Sequence, residues 1–266
     1  MLGKKMRECL HDGTVVYGTQ LTALPSTRTA ARLAGAGLDF IFIDTEHIPL
    51  DRETVSWMCH YLASRNVCPV VRVAYPSRHL IAMAADAGAQ GIVVPYVETE
   101  EEVREIVAAA RYRPLKGQRV QEHLSGTHLL NEETQAYLNG WNQQAFILAG
   151  IESVTAYERL DALMNVPFLD GVFIGPHDLS ISLGLPEQYS HPDFLRVVEN
   201  IFQRARQAGL GAGFHIKPKQ VPVERMRKWI RLGLNWFLYS NDADILADTL
   251  IDRLGEIRQP ETGLAD

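Results

Sequence analysis

Short β-rich runs recur along this 266-residue chain, and each is followed by a stretch with helical spacing. The runs are Thr14–Thr19, Leu38–Asp44, Pro69–Val73, Gly91–Pro95, Ala145–Ile151, Leu169–Ile174, Gly211–Ile216 and Asn235–Tyr239. Between them lie helical patterns such as Glu100–Arg111, Pro192–Ala208 and Val221–Leu232. Their starts carry suitable chemistry: Thr99 and Glu102 have capping-box spacing, and Pro192 follows His191 into a first turn. Several helical stretches end in Gly before the next strand, as in Ala87-Gly88-Ala89 and Ala208-Gly209-Leu210, where a left-handed residue closes the helix. Apolar strands that alternate with helices belong to a parallel sheet covered on its faces. About eight such units in about 250 residues predict closure into a barrel. The expected fold class is α/β, a (β/α)8 TIM barrel. No Gly/Ser/Pro-rich linker divides residues 1–266, which are read as a single domain.

Composition narrows what such a barrel can do. Lys and Arg number 26 against 32 Asp and Glu, a formal net charge of −6, with no basic run interleaved with aromatics. A nucleic-acid partner is therefore not expected. Cys9, Cys59 and Cys68 form no CxxC pair, so they make neither a disulfide framework nor a zinc site and fit a reducing cytoplasm. No secretory leader is read at the start, and the longest apolar runs are too short to cross a bilayer, so no membrane partner is expected.

In a barrel of this kind the active site lies at the C-terminal ends of the strands. That rule selects Asp44, Glu46 and His47 after the second run, Arg72 at the third, Glu152 at the fifth, and His177 and Asp178 after the sixth. Glu152 and Asp178, carboxylates from neighbouring strands with no His or Cys obviously joining them, suit a hard divalent cation such as Mg²⁺. Each alone reads equally as a helix cap before Ser153 or Ser180, and the metal reading rests on the two together. His47, beside Asp44 and Glu46, has the intrinsic acidity of a general base, although a lone loop histidine is more often simply solvated. Arg72 needs an anion, which can be an enolate or carboxylate of a substrate, or a structural partner such as Asp44 or Asp86. His177 and His215 also stand at strand ends, where local hydrogen bonding is the simpler reading. Gly150 shares a strand face with Glu152, and a gap beside the site is expected there. No Gly-rich phosphate loop follows the last two runs, and GxSxG, HExxH and GxGxxG are absent.

At these residues the chain resembles the HpcH/HpaI family of class II, metal-dependent pyruvate aldolases. The markers are Phe40-Ile41-Phe42-Ile43-Asp44-Thr45-Glu46-His47, Val70-Val71-Arg72, Ala87-Gly88-Ala89-Gln90-Gly91-Ile92-Val93-Val94-Pro95, Ile151-Glu152-Ser153 and Asp170-Gly171-Val172-Phe173-Ile174-Gly175-Pro176-His177-Asp178-Leu179-Ser180. The resemblance implies a barrel whose C-terminal helix is exchanged between subunits of a homo-oligomer, usually a hexamer. It implies Mg²⁺, Mn²⁺ or Co²⁺ at Glu152 and Asp178, enolate stabilisation by Arg72, and a base at His47 supported by Asp44 and Asp86. Arg72, Gly150, Gly175 and Pro176 are the expected substrate contacts. The implied reaction is reversible cleavage of a 4-hydroxy-2-oxo acid, through an enolate, to pyruvate or an analogue plus an aldehyde. Rival readings are an oxaloacetate-type decarboxylase or citrate-lyase-β-like CoA-ester lyase on the same site, and a catalytically silent binding barrel. The chain departs from the family where Gly150 replaces a usual Gln, in the segment Gly117–His123, at His177 and in Gly213-Phe214-His215-Ile216.

Overall fold

The computed structural model describes residues 2–258 apart from 24–25 and 143–144. Eight strands, β1 (Val16–Leu21), β2 (Phe40–Asp44), β3 (Cys68–Arg72), β4 (Gly91–Val94), β5 (Phe146–Ile151), β6 (Gly171–Ile174), β7 (Gly211–Ile216) and β8 (Trp236–Asn241), form a closed parallel barrel in chain order. Helix α1 (Leu2–Asp12) precedes β1. The following helices are α2 (Thr27–Ala34), α3 (Arg52–Ser64), α4 (Arg78–Asp86), α5 (Glu100–Arg111), α6 (Gln118–Leu124) and α7 (Glu132–Asn142). Then come α8 (Val154–Glu158), α9 (Leu160–Met164), α10 (Pro176–Ser182), α11 (Pro192–Gln207), α12 (Val223–Leu232) and α13 (Asp242–Arg258). The fold is thus the expected (β/α)8 TIM barrel. No helix among the described residues is long and apolar enough to cross a membrane.

Local chemistry sets the boundaries. The Thr99 side chain accepts from Glu102 N while the Glu102 carboxylate accepts from Thr99 N, the reciprocal cap that opens α5. β1 begins two residues later than expected because Gly13 turns at φ +89° and Thr14 N donates to Asp12 Oδ1, closing a turn where the strand was predicted. β8 runs further than expected, to Asn241, through an irregular stretch where its register with β1 shifts.

Alternation along the strands divides the core in two. Outward residues such as Ile41, Ile43, Val71, Ile92 and Val172 pack under the helices. Inward residues, among them Phe40, Phe42, Val70, Phe146, Phe173 and Trp236, fill the barrel, with Met6 and Leu10 of α1 among them at its N-terminal end. Inward glycines make room for these bulky groups. A Cβ at Gly91 would lie 2.2 Å from the Phe146 ring, and one at Gly211 would lie 2.3 Å from Leu10. At the same end Asp170, 1% exposed, accepts from Arg111, from Ile147 N at 2.8 Å and from His11 of α1, and forms an ion pair with Arg7 of the same helix at 3.1 Å, clamping that helix to the barrel. The lower half of the barrel is therefore closed and fully packed, and only the upper mouth is left for chemistry. Overpacking tests this directly. Gly91→Ala should cost roughly 1–3 kcal/mol in urea unfolding, and an unchanged midpoint would show that Phe146 does not fill the barrel as described.

Candidate active site

The alternation that packs the lower barrel continues to its mouth, where the inward positions turn polar. Gln20, Asp44, Arg72, His215 and Ser240 stand there, with Glu152 just beyond the end of β5. Asp44 and Arg72 are register partners on β2 and β3. Arg72 Nε donates to Asp44 Oδ1 at 2.9 Å and Nη2 to Oδ2 at 2.6 Å, a bidentate fork, while its guanidinium lies 5.6 Å from the centre of the Phe42 ring. Burial pushes the Asp44 carboxyl upward, but the fork and the Arg72 charge outweigh it and hold it below the usual carboxylate range. Gln20 Nε2 adds a third donor at 3.1 Å. Asp44 Oδ1 also accepts from Glu46 N at 3.0 Å and, at 3.5 Å, His47 N, which fixes the turn that carries His47.

Glu46 and Glu152 are held less completely. Arg72 Nη1 approaches Glu46 Oε2 at 3.0 Å, yet that buried oxygen has no hydrogen-bond donor in line. Glu152 is 5% exposed and accepts only Tyr96 N, at 3.1 Å, through Oε2. Burial, and secondarily the Glu46 and Asp178 carboxylates, raise its pKa to about 7 against the counteracting Tyr96 N–H and Arg72. Gly175 leaves space for the other oxygen, since a Cβ there would lie 2.6 Å from Glu152 Oε1. Tyr96 follows β4 with φ +58°, a left-handed conformation that costs a bulky residue on the order of 1–3 kcal/mol. Its phenol bonds Glu46, and that bond, more than burial and the surrounding carboxylates, makes it less acidic than an ordinary tyrosine.

This crowd of carboxylates, with an orphaned buried oxygen and a glutamate straining to keep a proton, is short of positive charge. Glu152 and Asp178 supply oxygen donors only. No cluster of three or more His, Cys, Asp or Glu that could hold a metal occurs among the described residues, so a dedicated protein cage is not what the site offers. Two carboxylates with open positions fit a hard cation of the Mg²⁺ type, which binds through one or two carboxylates and shares its remaining positions with water and substrate.

The capping alternatives are settled by geometry. Ser153, not Glu152, caps α8 by accepting Ala156 N at 3.1 Å. Gly175 is the N-cap of α10 with Pro176 in its first turn, and Asp178, half exposed in that turn, makes no capping bond. His47 is exposed, with Nε2 3.7 Å from Glu46 Oε2. Asp86 is not brought to it: it lies at the end of α4, pairs with Arg113 at 3.0 Å, and lines a cavity of about 570 Å³ between α3 and α4. The gap expected at Gly150 is absent. A Cβ there would lie 2.9 Å from Pro95 Cα and from Val94 O, so backbone of the neighbouring strand already fills the place that a Gln would need. His177 is exposed near Glu187 and Asp178. Sequence reasoning missed Tyr96 and Gln20 and gave Glu46 only a tuning role. The strand-end rule applied to β4 leads directly past Pro95 to Tyr96.

A (β/α)8 barrel with carboxylates and a forked arginine at its mouth has the architecture of an enzyme site, and one able to support metal-assisted enolate chemistry. The chain belongs to the HpcH/HpaI aldolase/citrate lyase family, whose model matches residues 22–236. It is 32% identical over 262 residues to a 2-keto-3-deoxy-L-rhamnonate aldolase of Salmonella gallinarum, covering 98% of this chain and 96% of that one. A Klebsiella pneumoniae protein of the same name is 34% identical over 248 residues, 92% of each chain. A crystal structure of an HpcH/HpaI aldolase/citrate lyase family protein from Burkholderia cenocepacia superposes with a TM-score of 0.81 at 26% identity, covering 96% of this chain and all of that one. The relatives are aldolases, and this chain is a carbon–carbon lyase of their family.

The state of Glu152 sets a pH dependence. In the metal-free protein its folded value, about 7, lies above its ordinary 4.5. Between those values the folded state keeps a proton that the unfolded chain releases, so metal-free stability falls as pH rises through this window. A cation held by Glu152 would have to displace that proton, and Mg²⁺ affinity should then weaken roughly tenfold per pH unit below about pH 7. Calorimetric titration between pH 5.5 and 8 measures this, and an affinity flat across that range would remove Glu152 as the ligand.

Proposed function

We propose that this protein reversibly cleaves a 4-hydroxy-2-oxo acid to pyruvate, or a close analogue, and an aldehyde. The observation that carries the reading is the buried, protonation-prone Glu152 standing beside Asp178 and Glu46 with the Arg72 fork close by. Family membership and the aldolase names of its relatives support the same class of substrate.

In this reading Glu152 and Asp178 hold a divalent cation, Mg²⁺, Mn²⁺ or Co²⁺, which polarises the 2-oxo group of the substrate. Every other part is taken by the chain itself. Arg72 has five N–H donors; two go to Asp44, while Nη1 meets Glu46 only as an ion pair at 3.0 Å, which leaves both Nη1 hydrogens and one on Nη2. Those hydrogens stabilise the C2 oxygen as charge develops on it during cleavage. His47, on the turn fixed by Asp44, takes the C4 hydroxyl proton as the C3–C4 bond breaks. Asp44 thereby positions both the cation that receives charge and the base that releases it. The start of α10, Gly175-Pro176, presents backbone to the substrate carboxylate. Asp86 enters only through a neighbouring chain, since within one chain it is committed to Arg113.

The working unit in this reading is a homo-oligomer that exchanges α13. Of that helix only Asp242 is buried, and Leu246, Leu250, Ile251, Leu254 and Ile257 are exposed. The outer faces of β1 and β8 likewise show Tyr17 and Tyr239 to solvent, where a barrel ordinarily carries a helix. A second copy's α13 satisfies both surfaces at once. Deletion of residues 242–266 should reduce the assembly to monomers in sedimentation, whereas an unchanged mass would exclude the exchange.

Chelation with EDTA should abolish aldol cleavage, and added Mg²⁺, Mn²⁺ or Co²⁺ should restore it. His47→Ala should lose roughly two to four powers of ten in cleavage rate. Arg72→Lys should also fail, because an ammonium cannot replace the fork. Full turnover by a rigorously metal-free protein would end the reading, and wild-type rates in either variant would remove that residue from it.

A further inference from the structure

His215 has no part in that scheme, yet it is built into the same mouth. On β7 it alternates with Gly211 and Gly213, whose added Cβ atoms would meet Leu10, Trp236 and Phe173 inside the barrel. Ala212, Phe214 and Ile216 face the outer core instead. The imidazole therefore points inward at the last turn of the strand, four strands from β3 and so across the mouth from Arg72. Its Nε2 lies 3.2 Å from Ser240 O, and because a carbonyl only accepts, Nε2 carries the hydrogen. Ser240 itself has φ +50° at the irregular end of β8, the kind of feature that re-aims a group beside an active site. Nδ1 is then an unprotonated acceptor. Among the described residues it has no protein donor, and it is not among the sealed, unpartnered atoms, so its lone pair opens on the mouth.

Chemistry separates two uses of such a lone pair. Burial, and then the Arg72 charge, lower the imidazole to about 4 against the Ser240 hydrogen bond. A group so weakly basic stays neutral and is a poor proton acceptor for the bond-breaking step, for which values near the working pH are best. Accepting a hydrogen bond from a hydroxyl that does not react asks for no protonation. The position agrees, because the wall opposite Arg72 lies away from the oxygen that Arg72 holds.

We infer that His215 is the specificity-determining residue of the aldehyde half, with Nδ1 accepting a hydrogen bond from a hydroxyl next to the aldehyde carbon, so that hydroxylated aldehydes are selected over their deoxy analogues. This rests on the aldolase reading. The test compares condensation of pyruvate with glycolaldehyde and with acetaldehyde by the Mg²⁺-loaded enzyme, alongside proton exchange of the pyruvate methyl group, which needs no aldehyde. In His215→Leu, kcat/KM for glycolaldehyde should fall roughly tenfold, the effect of one hydrogen bond in a desolvated site. Acetaldehyde turnover and pyruvate exchange should stay within about twofold. His215→Asn, which keeps an acceptor, should recover part of the preference, and it carries the test if the Leu variant does not fold. An equal loss with both aldehydes, or an unchanged preference, overturns the inference and leaves His215 as a structural link to Ser240. Absence of pyruvate exchange in the wild-type enzyme would instead overturn the aldolase reading, and this inference with it.

Discussion

The buried fork between Asp44 and Arg72 is the contact on which the upper half of this molecule depends. Its partners sit opposite each other on β2 and β3, so it ties the register of the barrel to the electrostatics of the mouth. Removing either partner would strand a charge in a low-dielectric place, which is far more damaging than the pair is stabilising. Asp44 spends its remaining capacity on Gln20 and on the turn that holds Glu46 and His47. One carboxylate therefore determines where the arginine, the glutamate and the histidine stand.

The two ends of the barrel treat buried charge in opposite ways. At the N-terminal end Asp170 is surrounded by Arg111, Arg7, His11 and a backbone N–H, and nothing more is wanted. At the mouth Glu152 has one backbone donor, Glu46 Oε2 has none in line, and Tyr96 is held in a strained conformation between them. The first arrangement serves the fold. The second is a deficit of positive charge that the fold tolerates because the lower barrel is tightly packed, and it is what a cation and an anionic substrate would complete.

Much of this was legible in the sequence. Period and glycine placement announced the eight units, and β7 and α5 have the expected bounds because their apolar runs and caps are sharp. The strand-end rule found Asp44, Arg72, Glu152 and Asp178. What it could not supply was tertiary. The closeness of Pro95 to Gly150 depends on how β4 and β5 pack, so a glycine that reads as an open space is in fact a contact. The separation of Asp86 from His47 likewise follows from where α4 ends, not from residue type. Tyr96 was invisible because its positive φ and its bond to Glu46 have no signature in a run that reads simply as the end of a strand.

In the proposed reaction this mouth stabilises an enolate with a cation held by Glu152. The most direct measurement is loss of deuterium from methyl-deuterated pyruvate in ordinary water, followed by NMR with no aldehyde present. Exchange by the Mg²⁺-loaded protein is expected, with its loss in Glu152→Gln, which keeps the shape of the side chain and removes its charge. Exchange at the wild-type rate in that variant would contradict the proposed reaction.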